Sequence, residues 1–432
     1  MDNLIFSTHL AEILSKSKIV YIKTNLEVLD FTTNAEFKIF LFGAGKKIEI
    51  SVNTSNIHSI FGILSVSLFE EGVSLLGWNL KPLFSYFYFH LKNFHTPHCS
   101  ILDLKVVEGF NGVRKQKAPE SLAEAVSRYK ALGDTSWLFI YKRIHLPLIT
   151  KVIPYMETFP LVDKTNRCLR YACYEIEGQL NGRLQASGAF ASSYNPHNIS
   201  GGMLSCLKPS LFNYLFSYVD YKHQEVTVLA YLSKDEKLNE LLRSGDDLYS
   251  RIYQIITGDE CDTDEKRKKC KLLFLPIMYG LGGKSLASEF NIDLNEAYAI
   301  IGRVKEYFHQ AWKWFDSYQR MAVEEGKAVD HVGRTRYFQE DAYLARNFAL
   351  QAPSSVFCLE KLIELFNMSN DRFRLIYSVH DGYGLICDKK YIRDCIINLK
   401  KTLEGESTIF PGLSLKTKIS FGLSLDQMKV LN

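Results

Sequence analysis

The stretch Phe216-Ser217-Tyr218-Val219-Asp220-Tyr221-Lys222-His223-Gln224-Glu225-Val226 decides the fold predicted for this 432-residue chain. Its first half is apolar and predicts a buried strand, which carries the carboxylate of Asp220 to its end. The apolar spacing from Val226 to Leu232 predicts an amphipathic helix directly after the strand. Because oxygen atoms converge at a strand end, a carboxylate there suits a hard divalent cation such as Mg²⁺.

A second carboxylate, Asp381, occurs far along the chain in a matching setting. Apolar runs flank Asp381-Gly382 on both sides, and an Asp-Gly pair favours a tight hairpin turn. We therefore expect Asp381 at a strand tip, where it could meet Asp220. Taken alone, the segment is equally well explained as an ordinary surface hairpin.

A helix between the two carboxylates carries a cationic stripe. Asp262 followed by Glu265 predicts its start as a capping box, and Gly280 predicts its end. Residues four apart lie on one helix face, and that face carries two cations and an aromatic ring. The stripe consists of Arg267, Lys271, Leu275 and Tyr279. Such a face could hold a triphosphate and a stacked base, although a solvated basic face is the simpler alternative.

Composition limits the possible classes of protein. Hydrophobic residues make up 47% of the chain and aromatic residues 13%, enough for sizeable cores in two or three domains. The net charge of +4 neither requires nor excludes a nucleic-acid partner. Nine cysteines without paired spacing indicate reduced thiols, and no zinc-site spacing occurs. No apolar run approaches membrane-spanning length, so we expect a soluble cytoplasmic or otherwise intracellular protein without a membrane partner.

The N-terminal segment predicts a small α/β domain, because alternating strand patterns are followed by helical patterns. The predicted strands are Ile19–Ile22, Phe37–Phe42 and Lys47–Ile50; the predicted helices are Ile57–Leu68 and Leu80–Leu91, with Gly77-Trp78-Asn79 between them. A further short strand completes the predicted domain.

The order and spacing of three motifs resemble motifs A, B and C of family A DNA polymerases, from about Ile144 to the C-terminus. The motifs are Asp220-Tyr221 with Glu225, then Arg267, Lys271 and Tyr279-Gly280, then His380-Asp381. The resemblance implies an α+β right-hand polymerase domain at 126–432, with the palm at 140–235 and 330–432 and the fingers at 236–329. Few residues separate Leu146–Val152 from Asn181–Ser187, where relatives carry a helical thumb, so we expect a reduced or missing thumb.

The resemblance also implies roles for individual side chains. Asp220, Asp381 and the Tyr221 carbonyl would bind two Mg²⁺ ions, with Mn²⁺ as a possible substitute, and Lys271 would join the two carboxylates in catalysis. The residues implied to bind the incoming dNTP are Arg267, Lys271, Tyr279, Glu225, Leu275 and Tyr249. The residues implied to bind DNA are Arg183, His380, Gln351, Ser355, Arg334 and Arg336.

Several positions depart from the family pattern. Leu275 replaces an aromatic residue found in many relatives, and Tyr249 stands where relatives carry His. Gln351 takes an Asn position and Ser355 a Gln position, which puts template-side hydrogen bonds in doubt. Gly382 replaces the usual Glu, which leaves two certain carboxylates.

Residues 1–125 resemble a degenerate copy of the ribonuclease H-type 3′–5′ exonuclease domain that precedes the polymerase domain in the family. Lys23-Thr24-Asn25 stands where the exonuclease would carry Asp-x-Glu, and Leu83 where it would carry a later Asp. Asp103 is a candidate leftover acidic position. Because lysine cannot replace a metal-binding carboxylate, we expect no proofreading. An unrelated scaffold domain is the alternative.

The function implied is template-directed extension of a primer 3′-hydroxyl with dNTPs on a DNA primer-template. A single-subunit RNA polymerase-like enzyme is the first alternative, against which the bulky Glu225 weighs. A catalytically silent DNA-binding replication subunit is the second, and a ribonuclease H-like nuclease is disfavoured by Lys23 and Leu83. A short thumb would leave processivity to a replication partner, and the compact plan is compatible with a phage or mobile-element origin.

Overall fold

The computed structural model describes most of the chain and divides it into two compact units. The described residues are 3–26, 36–69, 72–91, 99–114, 116–133, 136–165, 168–187, 193–199 and 201–431. The first unit comprises Met1–Tyr221, Cys358–Gly405 and Lys416–Asn432, and the second comprises Lys222–Phe357 and Glu406–Leu415. Each unit is described by itself.

The first unit begins with a five-stranded sheet and its helices. In chain order these are α1 (Asn3–Lys16), β1 (Ile19–Thr24), β2 (Phe37–Gly43), β3 (Lys46–Val52), α2 (Ile57–Ser67), β4 (Ser74–Trp78), α3 (Lys81–His90), β5 (Ser100–Asp103), α4 (Leu104–Phe110) and α5 (Leu122–Ala131). The strand order is β3-β2-β1-β4-β5. β1 pairs antiparallel with β2 and parallel with β4, and β4 pairs parallel with β5, so the sheet is mixed. This is the α/β arrangement expected from the sequence.

Strand β4 was missed by the sequence prediction, which treated Gly77-Trp78-Asn79 only as a connection between two helices. The strand is only five residues long, and Leu75 and Leu76 are both buried. The alternation of apolar and polar residues that identifies a half-buried strand is therefore absent from it. The predicted helix that follows begins at Lys81 with Pro82 in its first turn, a position that suits proline.

A helical run and short strands connect this sheet to the central strand of the first unit. They are α6 (Leu138–Ile140), π-helical turns at Tyr141–His145 and Leu148–Val152, α7 (Ile153–Thr158), β6 (Leu161–Asp163), β7 (Cys168–Ala172), β8 (Tyr174–Glu175), β9 (Gln185–Ala186), β10 (Ser193–Tyr194), α8 (Gly201–Cys206), β11 (Leu207–Pro209) and β12 (Tyr214–Tyr221). Between Ile153 and Asn181, residues 166–167 aside, the structure has one six-residue helix and three short strands. No long helical hairpin lies in that described stretch, in keeping with the reduced thumb.

The second unit is mostly helical. Its elements are α9 (Gln224–Ser233), α10 (Glu236–Arg243), α11 (Leu248–Thr257), α12 (Asp264–Tyr279), α13 (Gly283–Phe290), α14 (Leu294–Tyr307), α15 (His309–Glu324), β13 (Lys327–Val329), β14 (Thr335–Tyr337) and the first part of α16 (Ala345–Met368). Asp235 fixes two helix starts, because its Oδ1 accepts from Leu238 N at 3.0 Å and its Oδ2 from Ala311 N at 3.0 Å.

The chain then returns to the first unit and completes a second five-stranded sheet. The remaining elements are β15 (Phe373–Val379), β16 (Gly382–Asp388), α17 (Ile392–Leu403), β17 (Thr417–Gly422) and β18 (Lys429–Leu431). The strand order is β15-β16-β12-β17-β18, and all neighbours are antiparallel. Two buried tyrosines tie helices to this sheet: Tyr221 Oη donates to Leu403 O at 3.1 Å and Tyr383 Oη to Cys358 O at 2.8 Å.

The predicted boundary at 125/126 separates sequence segments and does not coincide with an edge of either compact unit, because both five-stranded sheets belong to the first unit. The division into residues 1–125 and 126–432, and of the latter into palm and fingers, stays a prediction. The nine cysteines, all in the described part of the chain, form no disulfide. Among the described helices none combines the length and apolarity needed to cross a membrane.

A buried carboxylate joins the two halves of the first unit. Glu157 in α7 accepts from Lys81 Nζ at 2.7 Å, from Ser85 Oγ at 2.6 Å and from Tyr174 N at 2.8 Å. Its side chain is 1% exposed and that of Lys81 is 12% exposed. The pair therefore cannot be screened by solvent, and losing one member would leave the other as an uncompensated buried charge.

We expect Glu157→Ala to lower the free energy of unfolding by about 3–5 kcal/mol, because the Lys81 ammonium would stay largely buried without the carboxylate that it contacts. Urea unfolding of the full chain measures the change. The control is Glu175→Ala, which removes a half-exposed carboxylate 3.3 Å from Lys105 and should cost less than about 0.5 kcal/mol. Equal losses in the two variants would contradict the buried-pair account.

Candidate active site

Two carboxylates meet at one end of the second sheet. Asp220, next to last in β12, pairs directly with Gly382 of β16 and on its other side with Lys418 of β17. Asp381 immediately precedes Gly382 in the turn between β15 and β16, so it lies next to the strand end that carries Asp220. Since Cα atoms of paired residues lie about 5 Å apart in an antiparallel sheet, both side chains belong to one small site. Both are half-buried.

The turn that presents Asp381 differs from the predicted Asp381-Gly382 turn. Val379 pairs with Gly382, so the two-residue loop consists of His380 and Asp381, and His380 adopts a φ of 53°. Gly382 is the first residue of β16 and takes no left-handed conformation. The glycine is needed for a different reason, which is the absence of a side chain.

Tyrosine rings lie over the two glycines at the start of β16. A Cβ on Gly382 would lie 2.6 Å from Tyr218 Cζ and closer still to its hydroxyl oxygen, and a Cβ on Gly384 would overlap the ring of Tyr377. Contacts this short do not occur for real Cβ atoms, so any side chain at Gly382 or Gly384 would displace a tyrosine. The Gly-Tyr-Gly sequence is therefore explained by close packing.

The oxygen atoms of this site suit a hard cation. Asp220 and Asp381 offer carboxylates, and Tyr221 offers its backbone carbonyl, since its phenol is buried and donates to Leu403. Within the described part of the chain no cluster of three or more His, Cys, Asp or Glu side chains is placed to hold a metal. Mg²⁺ keeps several waters and is commonly held by one or two carboxylates, so this donor set fits it.

Other side chains of the first unit lie near the carboxylates. His380 is exposed, and its ring centroid lies 4.6 Å from that of His197. Burial, and then the neighbouring His380, lowers the pKa of His197 to about 4. Burial raises the pKa of the Cys358 thiol, and the charges of Asp381, Arg183 and Asp220 also act on it. Arg183 is thus close to the carboxylate pair, and His197 is a neighbour to which the sequence prediction gave no role.

The cationic stripe lies on α12 of the second unit, whose N-cap is Thr263 and not the predicted Asp262. The Thr263 hydroxyl accepts from Lys266 N at 3.3 Å, whereas Asp262 pairs with Lys266 Nζ at 2.7 Å. The capping-box prediction was therefore one residue early. The predicted end is correct, because Gly280 closes the helix with a φ of 103°.

Arg267 is engaged by an acid that the sequence prediction missed. Its Nε and Nη2 donate to the two carboxylate oxygens of Asp247 at 2.9 and 2.8 Å, in a bidentate pair. Partial burial alone would raise the pKa of Asp247, but hydrogen bonds from Arg267 and Ser250 lower it to about 2. Asp247 is also the N-cap of α11, which was the available sequence signal. Lys271, one turn along the stripe, is exposed.

The rest of the predicted nucleotide surface lies in the same unit. Tyr279 Oη donates to Glu225 Oε2 at 3.0 Å, and Leu275 is half-buried between Lys271 and Tyr279 on the stripe. Tyr249 is 4% exposed, and burial raises its pKa to about 12, so the phenol stays protonated at neutral pH. Its ring lies 5.1 Å from that of His223 and 6.0 Å from the Arg267 guanidinium.

The predicted template-side residues are more enclosed. Gln351 is half-buried and Ser355 is 5% exposed in α16. Arg334 is fully buried in the β13–β14 hairpin, and Arg336 donates to Asp341 at 2.6 Å and stacks on Phe338. The Arg334 side chain is thus buried and the Arg336 guanidinium is engaged within the hairpin, and their predicted contacts with DNA stay predictions.

Among the residues that the structure describes around the N-terminal sheet, no comparable acidic pair occurs. Lys23 Nζ donates to Glu120 Oε2 at 2.8 Å and to Pro119 O at 3.1 Å. The Asp103 carboxylate is buried and accepts from three backbone amides, those of Asn79, Leu80 and Lys105, at 3.0, 2.7 and 3.1 Å. Asp103 therefore caps local backbone and has little capacity left for a metal ion.

Helix α5 covers the same region of the N-terminal sheet. Ala125 of α5 belongs to a buried cluster with Tyr21, Phe42, Leu76 and Leu104. Arg128 of α5 stacks 4.8 Å from the Trp78 ring and donates to both oxygens of Glu108, at 2.7 and 2.5 Å. The strand ends next to Lys23 are thus packed against protein.

Comparison with known proteins agrees with this geometry. Residues 161–427, well over half of the chain, match the model of DNA polymerase family A. DNA polymerase I of Helicobacter pylori is 27% identical over 201 residues, which are 44% of this chain and 22% of that protein. The thermostable DNA polymerase I of Thermus aquaticus is 23% identical over 308 residues, which are 65% of this chain and 36% of that protein. The chain therefore spans about a quarter to a third of the length of these relatives.

A solved structure shares the fold. It is the POL domain of Pol1 from M. smegmatis in complex with DNA primer-template and dNTP. The two chains superpose with a TM-score of 0.68, covering 97% of this chain and 98% of that one, at 14% sequence identity. The likeness confirms the predicted α+β polymerase-domain fold.

The Arg267–Asp247 pair leads to a prediction about polyphosphate binding. Since Asp247 competes for the guanidinium, we expect Asp247→Asn to tighten binding of inorganic tripolyphosphate several-fold and Arg267→Ala to weaken it. Isothermal titration at moderate salt measures both. Asp246→Asn is the control, because Asp246 is exposed and its carboxylate lies 3.6 Å from Arg251. Unchanged affinity in the Arg267→Ala variant would exclude this residue as a phosphate ligand.

Proposed function

This chain belongs to DNA polymerase family A, and from that premise we propose that it is a template-directed DNA polymerase that extends a primer 3′-hydroxyl with dNTPs. The observation that carries the proposal is the pairing of Asp220 with Gly382, which sets Asp381 beside Asp220 within the family-matched segment. The related POL domain, solved with primer-template and dNTP, supports DNA and dNTPs as ligands.

In the proposed reaction the carboxylates act through divalent ions. Asp220 and Asp381, with the Tyr221 carbonyl, would hold two Mg²⁺ ions, which when bound activate the attacking hydroxyl and neutralise the leaving pyrophosphate. Asp220 lies on β12 and Asp381 in the turn that leads into the paired strand β16, so the register of the two strands holds the carboxylates near each other before substrates arrive. His380, exposed at the hairpin tip, would steady the primer terminus, and Arg183 would contact its minor groove.

The second unit would bind the incoming nucleotide. Arg267 would hold the outer phosphates after exchanging its bond with Asp247 for bonds to phosphate oxygens. Lys271, an exposed ammonium on the same stripe, would contact the α-phosphate and protonate the leaving group. Tyr279 would lie beneath the sugar, where its hydrogen bond to Glu225 places an acidic side chain in the space that a 2′-hydroxyl needs. This pair supports selection of deoxynucleotides.

A single-subunit RNA polymerase-like activity is the second candidate. It is favoured by one observation, the small residue Gly382 directly after His380-Asp381, and it is disfavoured by Glu225. A catalytically silent replication subunit is the third, and the side-by-side carboxylates argue against it. The two activities differ in which nucleotide class is incorporated.

We also propose that the N-terminal domain lacks 3′–5′ exonuclease activity. Lys23 occupies a strand position that would need an acid, and it is bound to Glu120 and Pro119. Asp103 is committed to backbone amides, and α5 packs on the sheet.

With only short elements between Ile153 and Asn181, duplex binding should depend on few phosphate contacts, so a replication partner would supply processivity.

Primer extension tests the polymerase proposal. On a DNA template with Mg²⁺, we expect dNTP incorporation by the wild-type chain and a loss of at least about 10³-fold in Asp220→Asn and Asp381→Asn, because each removes a metal-binding charge. Circular dichroism should show that both variants remain folded. Wild-type rates in Asp381→Asn would support the silent-subunit alternative, and preferential use of rNTPs would support the RNA polymerase alternative.

The exonuclease proposal has its own test. A primer labelled at its 5′ end, incubated with the purified chain and Mg²⁺ without dNTPs, should keep its full length, including when its 3′ end is mismatched. Shortening from the 3′ end that persists in Asp381→Asn would show an active second site and overturn the proposal.

A further inference from the structure

The face of the sheet that carries Asp220 also carries Tyr218. Side chains two residues apart on a strand point to the same face, so Tyr218 and Asp220 share one surface of β12. On the neighbouring strand they face Gly384 and Gly382, respectively. Because glycine has no side chain, the ring of Tyr218 can lean along the strand into the space above Gly382.

The Tyr218 hydroxyl therefore lies next to the carboxylate pair. It occupies the position that a side chain at Gly382 would fill, and Gly382 both follows Asp381 in the chain and pairs with Asp220. The raised pKa of Tyr218 agrees with this location: burial is its main cause, followed by the charges of Asp220 and then Asp381.

Tyr377 provides an internal contrast. Its ring lies over Gly384 in the same manner, but only burial and Tyr218 act on its phenol, and neither carboxylate does. Two tyrosines thus fill two equivalent gaps on β16, and one of them has its hydroxyl beside the acids. Packing alone explains both rings, and it does not require a hydroxyl on Tyr218.

The site offers few protein oxygen atoms to an ion. Two carboxylates and one carbonyl leave most positions around Mg²⁺ ions to water, since Mg²⁺ requires six oxygen ligands. Residue 382 cannot contribute a side chain while Tyr218 fills the space above it. The phenol of Tyr218, which fills this space instead, is placed to supply a polar group at this point of the site.

We propose that Tyr218 is a positioning residue of the carboxylate site, whose hydroxyl hydrogen-bonds a water that completes the coordination of an ion held by Asp220 and Asp381. This inference rests on the proposed function, because it assumes that the aspartates bind a divalent ion. It concerns ion affinity and the arrangement of water, and it involves no bond-forming step at the phenol.

The test is Mn²⁺ binding to the full chain, with free Mn²⁺ followed by electron paramagnetic resonance, in Tyr218→Phe and in the matched variant Tyr377→Phe. Each variant keeps its ring and so keeps the packing on Gly382 or Gly384. We expect Tyr218→Phe to raise the Kd for Mn²⁺ about 5- to 20-fold, the size of one lost hydrogen bond in a charged site, and Tyr377→Phe to change it less than about twofold.

Primer extension gives a second readout. Tyr218→Phe should raise the Mg²⁺ concentration for half-maximal rate by a similar factor, with most of kcat recovered at saturating Mg²⁺. A merely structural role would instead lower kcat at all Mg²⁺ concentrations, or affect Tyr377→Phe equally, and either result would overturn the proposal.

The Asp381→Asn variant distinguishes a failure of the Tyr218 proposal from a failure of the proposed function. If it loses Mn²⁺ while Tyr218→Phe binds Mn²⁺ like the wild type, the carboxylate site stands and the role of Tyr218 is refuted. If Asp381→Asn binds Mn²⁺ like the wild type, the aspartates are not the ion's ligands, and the inference fails together with the proposed function.

The packing of the Tyr218 ring over Gly382 can be tested independently. Gly382→Ala should lower the melting temperature by several degrees, because the new Cβ overlaps Tyr218. In a Tyr218→Ala background the same substitution should cost much less. Additive effects would show that the Tyr218 ring does not lie over Gly382.

Discussion

The candidate site depends on the register between β12 and β16. Seven consecutive pairs, from Tyr214 with Asp388 to Asp220 with Gly382, hold the two strands together. Side chains alternate between the faces of a sheet, so a slip of one residue would turn Asp220 to the opposite face and separate it from Asp381. The glycines at 382 and 384 limit such slips, because only at the observed register do the rings of Tyr218 and Tyr377 meet bare backbone.

The two groups of functional residues are prepared differently for their ligands. The carboxylates of the first unit are half-buried at a strand end, whereas Arg267 of the second unit already holds an anion, the carboxylate of Asp247. An arginine paired in this way is kept in a defined conformation without a ligand, and a phosphate must displace or share its partner. In the proposed reaction, polyphosphate affinity would therefore be set by Asp247 as well as by the cations of the stripe.

Much of this arrangement could be predicted from the sequence, and the misses have local causes. Asp220 and the stripe of α12 were accessible because apolar periodicity and four-residue spacing are properties of single elements. Three features were not predicted correctly: the turn at His380, the cap at Thr263 and strand β4. In each case several neighbouring residues could form the turn, the cap or the strand, and tertiary contacts decide which of them does. His197, Asp247 and Tyr218 each contact a residue that is distant in the sequence. Local sequence patterns do not predict contacts of that kind.

Glu157 shows how the N-terminal sheet and the rest of the first unit depend on each other. Two of its three hydrogen-bond donors, Lys81 and Ser85, lie in α3, and the third is the amide of Tyr174. Deleting the first 125 residues would remove both side-chain donors together with α3, which packs on α7, and would expose the surface of α7 that α3 covers. The N-terminal sheet thus shares a buried ion pair and one compact unit with the second sheet, which gives it a structural contribution separate from any chemistry of its own.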